Sequence, residues 1–284
     1  MKQLAILLIT LLTLSACQKV DVYDDEAESA SAPNLTVSIF QLEQTPFSAI
    51  TRATPAEACT RLSFIIYNSG GTRVKYINQM VGDASFGTAT FQLEEGTYSL
   101  VVVAHSSTGN PTTTDATKIQ FSNSIGFSDT FLHTESVTIG EEPVELSLSL
   151  DRIVSLCRFV ITDDYPEDVA KMRFYYTGGS GAFNAHTGYG SVNSKQSVIF
   201  EVTENTKQFD LYTFLHADEG TIHLTVTAMD GGDNILKERE FDVPMVRNNI
   251  TWLTGDYFTG SNAGTTTMTI NINTDWAGEK HLDF

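Results

Sequence analysis

The amino-acid sequence predicts an all-β fold of two tandem β-sandwich domains, and three observations lead there. From residue 34 onward Thr, Ser, Val, Ile, Phe and Tyr dominate, with alternating apolar and polar positions punctuated by Gly and Asn. That is the pattern of half-buried strands joined by turns, whereas helical periodicity is weak nearly everywhere. A short internal repeat links two halves of the chain. Glu94-Glu95-Gly96-Thr97-Tyr98-Ser99-Leu100-Val101-Val102 matches Asp218-Glu219-Gly220-Thr221-Ile222-His223-Leu224-Thr225-Val226, an acidic pair and Gly-Thr each time introducing an alternating strand. Two copies do not make a solenoid. They predict related domains at 34–151 and 152–284.

Taken in order, the first half is expected to hold strands at Leu35–Leu42, Arg61–Tyr67, Arg73–Met80, Thr88–Leu93, Tyr98–His105, Lys118–Phe121, Ser136–Ile139 and Val144–Leu150. Asn68-Ser69-Gly70-Gly71 between two apolar runs reads as a hairpin turn, with glycine supplying positive φ. Val144 to Leu150 alternates without interruption, Val and Leu on one face. The second half is expected to hold strands at Ile153–Thr162, Lys171–Tyr176, Ser197–Val202, Gln208–Leu215, Ile222–Met229, Asn234–Val243, Ile250–Phe258 and Thr266–Asn273. No Pro-, Gly- or Ser-rich linker marks the boundary at Leu150-Asp151-Arg152-Ile153, so a strand is expected to run through it. Pro166-Glu167-Asp168-Val169-Ala170 reads as the opening of a short helix, because Pro and acidic residues suit a first helical turn. Gly178-Gly179-Ser180-Gly181 reads as a flexible loop.

The N-terminus points to export. Lys2 precedes the apolar segment Leu4–Leu14, far short of the ~20 apolar residues a membrane-spanning helix needs. A charged start, a short apolar core and small residues make a secretory signal. Leu14-Ser15-Ala16-Cys17 has the lipobox pattern, so residues 1–16 are expected to be removed after Ala16 and the Cys17 thiol to accept lipid. Two or more acyl chains anchor stably where one does not. Residues 17–33, with Asp21, Asp24, Asp25, Glu26 and Glu28, read as a disordered acidic stalk. Gln18 in place of an Asp favours the outer membrane over retention at the inner one, and the acidic run near the lipid points to the outer face.

With 17 basic and 35 acidic residues the chain carries a net charge of −18, which argues against nucleic acid and anionic membrane surfaces as partners. Cys59 and Cys157 stand 98 positions apart, and spacing leaves open both a disulfide and two buried free thiols. His105, His133, His186, His216, His223 and His281 are scattered, without metal-ligand spacing. No nucleophile elbow, phosphate loop or dinucleotide fingerprint occurs. The pairs Asp163-Asp164, Glu94-Glu95 and Glu141-Glu142 sit at expected turns, where they cannot converge across a cleft as glycoside hydrolysis requires. Asp163, Asp164 and Asp168, or Asp230-Gly231-Gly232-Asp233-Asn234, offer oxygen ligands of the kind calcium takes but not its twelve-residue loop. These patterns predict neither enzyme nor cofactor.

Four features in this order resemble the Bacteroidales-type fimbrial anchor and minor-subunit lipoproteins, relatives of the fimbrillins. They are the lipobox with its acidic stalk; Leu62–Gly71 followed by Gly96-Thr97-Tyr98-Ser99-Leu100-Val101; Leu150-Asp151-Arg152-Ile153 to Phe159 with Pro166-Glu167-Asp168-Val169; and Val243-Pro244, Arg247-Asn248-Asn249-Ile250-Thr251 and Thr254-Gly255-Asp256-Tyr257-Phe258. The resemblance implies transthyretin-like, Greek-key sandwiches and a surface protein that builds or anchors fimbriae and so serves adhesion. Its implied partners are other fimbrial subunits, joined by strand donation, and a host or bacterial surface receptor. Some relatives polymerise after a protease cuts behind an Arg; Arg52, expected in a loop after the first strand, is the matching candidate. The alternative is a surface glycan-binding lipoprotein of a nutrient-uptake system, stacking sugars on Tyr175, Tyr176, Tyr189 and Tyr257. A secreted hydrolase ranks last.

Overall fold

The computed structural model describes residues 32–44, 51–259 and 268–273. The first half runs β1 (Leu35–Gln44), β2 (Thr51–Ala53), a one-turn helix α1 (Pro55–Ala58), β3 (Arg61–Asn68), β4 (Arg73–Met80), β5 (Thr88–Phe91), β6 (Gly96–His105), β7 (Ile119–Gln120), β8 (Thr130–Ile139) and β9 (Val144–Arg152). The second runs β10 (Ser155–Ile161), β11 (Lys171–Thr177), β12 (Ala182–Phe183), β13 (Gln196–Glu201), β14 (Gln208–Thr213), β15 (Glu219–Met229), β16 (Ile235–Val246), β17 (Ile250–Gly255) and β18 (Met268–Asn273). Sixteen of these eighteen strands match the sequence expectations with ends within three residues, except that β8 begins six residues earlier, at Thr130 instead of Ser136; β2 and β12 are additional.

The internal repeat extends to the whole topology. In the first half one layer is ordered β4-β3-β6-β8 and the other β5-β1-β9, joined where Phe131 and Leu132 pair with Arg152 and Asp151. In the second half the layers are β13-β11-β15-β16 and β14-β10-β17-β18. The matching strands follow the same chain order, and each half has one parallel pair, β1 with β9 and β10 with β17. Gly96 opens β6 and Gly220 lies at the start of β15, equivalent positions in the two Greek keys.

Each half closes its own core. Leu35, Val37 and Leu42 of β1 meet Phe64, Leu100, Val102 and Phe131 in the first, and Phe159, Phe174, Phe209, Leu224 and Leu253 fill the second. A third core lies between the halves. Ile65 and Tyr67 of β3, Val101 and Val103 of β6, and Ile119 and Phe121 pack on Ile153, Val154, Phe183, Ala185 and Phe214. β3 and β6 are therefore buried on both faces. Their runs Phe64-Ile65-Ile66-Tyr67 and Leu100–Ala104 are correspondingly unbroken apolar segments rather than alternating ones.

The strand expected to run through the boundary is interrupted: β9 ends at Arg152, Ile153 and Val154 are buried in the third core, and β10 begins at Ser155. Arg152 is held there by Asp129, Nε and Nη2 each 2.7 Å from its carboxylate oxygens, and lies over the Phe131 ring. The helix expected at Pro166–Ala170 is a turn, closed by the Val169 amide donating to the Pro166 carbonyl. Val169 packs sideways onto the second core, which fixes the chain there without further helical turns.

The Gly178–Gly181 segment is likewise no flexible loop. Gly178 has φ +88°, and a Cβ there would collide with the Thr221 carbonyl oxygen; one on Gly179 would strike Thr213 Oγ1. Ser180 is fully buried, its hydroxyl donating to the Ala182 carbonyl and accepting from the Ala182 and Val192 amides. The segment delivers β12 onto β7, where Ala182 pairs with Gln120 and Phe183 with Ile119. The insertions that set the halves apart are thus the strands that join them.

Candidate functional site

The feature with the clearest potential for assembly is β1. It lies between β5 and β9, antiparallel to the first and parallel to the second. Leu35, Val37 and Ile39 point inward at alternate positions; a bulge at Phe40 resets the register and returns Leu42 to the core. Asn34 pins the start of the strand, its side chain donating to the Leu93 carbonyl at 2.7 Å and accepting from the Leu93 amide at 3.0 Å. β1 thus fills a groove with backbone hydrogen bonds on both sides and apolar side chains beneath, the arrangement by which any extended segment completes a sheet. Arg52 falls on β2, opposite Glu43 of β1, and not in a loop, because the chain doubles back to extend the same sheet by three residue pairs.

Cys17 and Ala16 lie outside the described residues. Cys59 and Cys157 are both free, one in each half's core, so they do not form the bridge that spacing left open. Burial pushes each thiol up to about 12, which leaves both as inert packing groups.

The acidic candidates are structural. Burial raises the Asp163 carboxyl, but hydrogen bonds from the amides of Thr259, Tyr257 and Phe258 outweigh it and hold the group below its ordinary range. Asp163 thereby clamps the segment that seats Tyr257 in the second core. Asp230 accepts from the amides of Gly232 and Asn234 and from the Asn234 side chain, closing its own turn. Asp164 pairs only loosely with Lys207, at 3.8 Å, and Asp168 is exposed. Among the described residues no three His, Cys, Asp or Glu side chains are placed to hold a metal ion. The four tyrosines do not form a platform. Tyr176 and Tyr257 are core residues, and Tyr189 lies under the Arg247 guanidinium at 4.5 Å with its hydroxyl on Asp218. Trp252 is half-buried beneath the Arg158 guanidinium, 4.9 Å from its ring.

His105, unremarkable in the sequence, is the buried titratable group with a consequence. It is fully buried edge-on to Phe121, and burial, assisted by the Arg61 charge, lowers its pKa from 6.5 to about 4. The unfolded chain takes up a proton through that window and the folded chain does not. Stability therefore falls as pH drops from 6.5 toward 4, by at most about 3 kcal/mol. Urea titrations at several pH values should show that loss in the wild type and a flatter profile in His105→Gln. Parallel profiles for the two proteins would refute it.

These parts define a class: a duplicated Greek-key sandwich, joined by a third core, whose N-terminal strand completes the first sandwich. The chain belongs to the family described as a family of unknown function, DUF6562, whose model matches residues 28–283. No curated protein matches the chain. Among solved structures, a candidate polysaccharide-binding protein (DUF1812) from Bacteroides thetaiotaomicron superposes with a TM-score of 0.52 at 11% identity, covering 88% of this chain and 98% of its own. A candidate adhesin from Bacteroides ovatus gives 0.48 at 18% identity, covering 81% of this chain and 88% of its own. The tip fimbrial protein Mfa3 from Porphyromonas gingivalis gives 0.40 at 11% identity, covering 84% of this chain and 98% of its own. At 11% identity the likeness to the first of these is one of fold.

Proposed function

We propose that this protein is a lipid-anchored subunit or anchor of a surface fimbria, with a role in adhesion and no catalytic activity. In this reading residues 34–151 and 152–284 are two sandwich domains, exported by residues 1–16 and tethered to the outer membrane through Cys17, facing the cell exterior. The observation that carries the reading is β1, a strand next to the expected stalk that fills a two-sided groove in the first sandwich. Losing it would uncover the inner faces around Phe91, Leu148 and Leu150, which a strand from another subunit could cover.

Cleavage behind Arg52 would leave β1 and everything before it, Cys17 included, without a covalent link to the rest of the fold. One molecule can therefore be a cut, released subunit or an uncut anchor, not both. Labelling cells with an alkyne fatty acid should mark the wild type and not Cys17→Ser, which should accumulate as precursor or in soluble fractions. Fimbriae should then shed into the medium. Normal attachment of fimbriae in a strain lacking the protein would dispose of the anchor role, and an N-terminus at Ala53 in the surface protein would identify the cut form.

A further inference from the structure

The third core covers only part of the sheet face it rests on. Ile65, Val101 and Val103 of the first half are buried there against the second half. Further along the same face Tyr67 of β3, Ser99 of β6 and Ser136 of β8 stand side by side, and the next row sets Thr97 beside Thr138. Residues two apart on a strand share a face, so these rows continue that of Val101 while changing from apolar side chains to hydroxyls. A cavity of about 260 Å³ opens at this point, lined by Tyr67, Thr97, Ser99 and Ser136 and by the turn between β3 and β4. The second half contributes His186 to the same lining.

The lining is held in place by the fold. The Tyr67 hydroxyl donates to the Thr113 carbonyl at 2.7 Å. Asn68 Oδ1 accepts from the amides of Gly70 and Thr72, which fixes the turn. The Ala185 amide donates to the Ala116 carbonyl and the Ala185 carbonyl accepts from Thr134 Oγ1, both at 2.8 Å, which ties the segment carrying His186 to the first half. Small-molecule sites are concave and largely pre-formed in this way.

The chemistry of the lining selects a ligand class. No carboxylate, lysine or arginine borders the cavity, in a chain of net charge −18. An anion would find no counter-charge there, and neither would a cation. The cavity offers hydroxyl groups, which both donate and accept, together with apolar surface from Tyr67 and Ala116. Thr97 and Thr138 engage each other at 3.3 Å, whereas the hydroxyls of Ser99 and Ser136 hold no hydrogen bond among the described residues. A sugar ring is the complement, with hydroxyls of the same dual capacity around its edge and C–H groups on its faces. The volume equals that of about nine water molecules at ~30 Å³ each, room for one such ring.

We propose that this cavity binds one uncharged pyranose unit of a surface glycan. The proposal gives the adhesion reading above a receptor class, and rests on that reading for its biological purpose.

The test is ligand-observed saturation-transfer NMR on the full-length chain carrying Cys17→Ser. The probes are the methyl pyranosides of glucose, galactose, mannose, N-acetylglucosamine and fucose, with methyl glucuronoside as the charged comparison. At least one neutral probe should bind, with a Kd in the ~millimolar range that so few contacts allow. Methyl glucuronoside should bind at least ~10-fold more weakly. Ser136→Phe should abolish binding by filling the cavity, and Ser99→Ala, which keeps its shape, should weaken binding about 5-fold. Ser147→Phe, at an exposed position on β9 outside the lining, should change nothing. Circular dichroism checks that each variant keeps the fold. Silence from every neutral probe, equal binding of the glucuronoside, or binding that survives both Ser136→Phe and Ser99→Ala would each overturn the proposal. The readout is sugar binding in solution, so it can fail while the lipid and shedding experiments succeed, and the reverse.

Discussion

Gly178→Ala should destabilise the protein by at least ~3 kcal/mol, enough to leave a marginal domain largely unfolded. Two costs add. At φ +88° an L-residue is strained by roughly 1–3 kcal/mol. The new Cβ would also overlap the Thr221 carbonyl oxygen, with Ile222 Cα 3.3 Å away. Both belong to the backbone of β15, which pairs with β11 on one side and β16 on the other. A backbone fixed on both sides cannot step aside as a flexible side chain could. Gly231→Ala is the control, since a Cβ there meets nothing within 4 Å and its φ is ordinary. Chemical denaturation of both variants decides the matter: equal midpoints would show that the junction yields and is not rigid.

Phe183→Ala is the second large effect. Phe183 is fully buried, 4.9 Å from the Phe214 ring and 6.5 Å from Phe121, and its backbone pairs with Ile119. Removing a buried Phe ring costs ~3–5 kcal/mol through lost burial and the remaining cavity. Here the cavity opens between the halves, so the loss should fall on their coupling. Both tryptophans, Trp252 and Trp276, belong to the second half. Wild-type unfolding followed by Trp fluorescence and by far-ultraviolet circular dichroism should coincide, and in Phe183→Ala the two curves should separate. Coincident curves in the variant, at a lowered midpoint, would mean that the halves stay coupled through the rest of the third core.

The extents of these effects follow from how the halves are joined. The sequence carried the repeat in a nine-residue match, and that match proved to be one strand of a shared topology. The insertions β7 and β12 were harder to read. Lys118–Phe121 reads as a strand, but its partner Ala182-Phe183 is too short to show a period and sits beside a glycine run. The third core did leave a signal, in the unbroken apolar runs of β3 and β6, because only a strand covered on both faces can dispense with polar positions.

What the sequence by itself determined is local. Alternation placed the strands, Asn68 to Gly71 placed the hairpin between β3 and β4, and the segment from Lys2 to Cys17 defined the expected signal and lipid site. These are properties of neighbouring residues, and period, turn chemistry and short motifs report them directly. The tertiary structure decided what depends on residues far apart in the chain. It made Gly178–Gly181 a rigid junction, put Arg52 on a strand, separated Cys59 from Cys157 and set three backbone amides against the Asp163 carboxylate. Each of those outcomes is set by which surfaces meet when the strands pack. A glycine or an aspartate has the same identity in an open loop as under a neighbouring strand, and only the meeting of those surfaces tells the two apart.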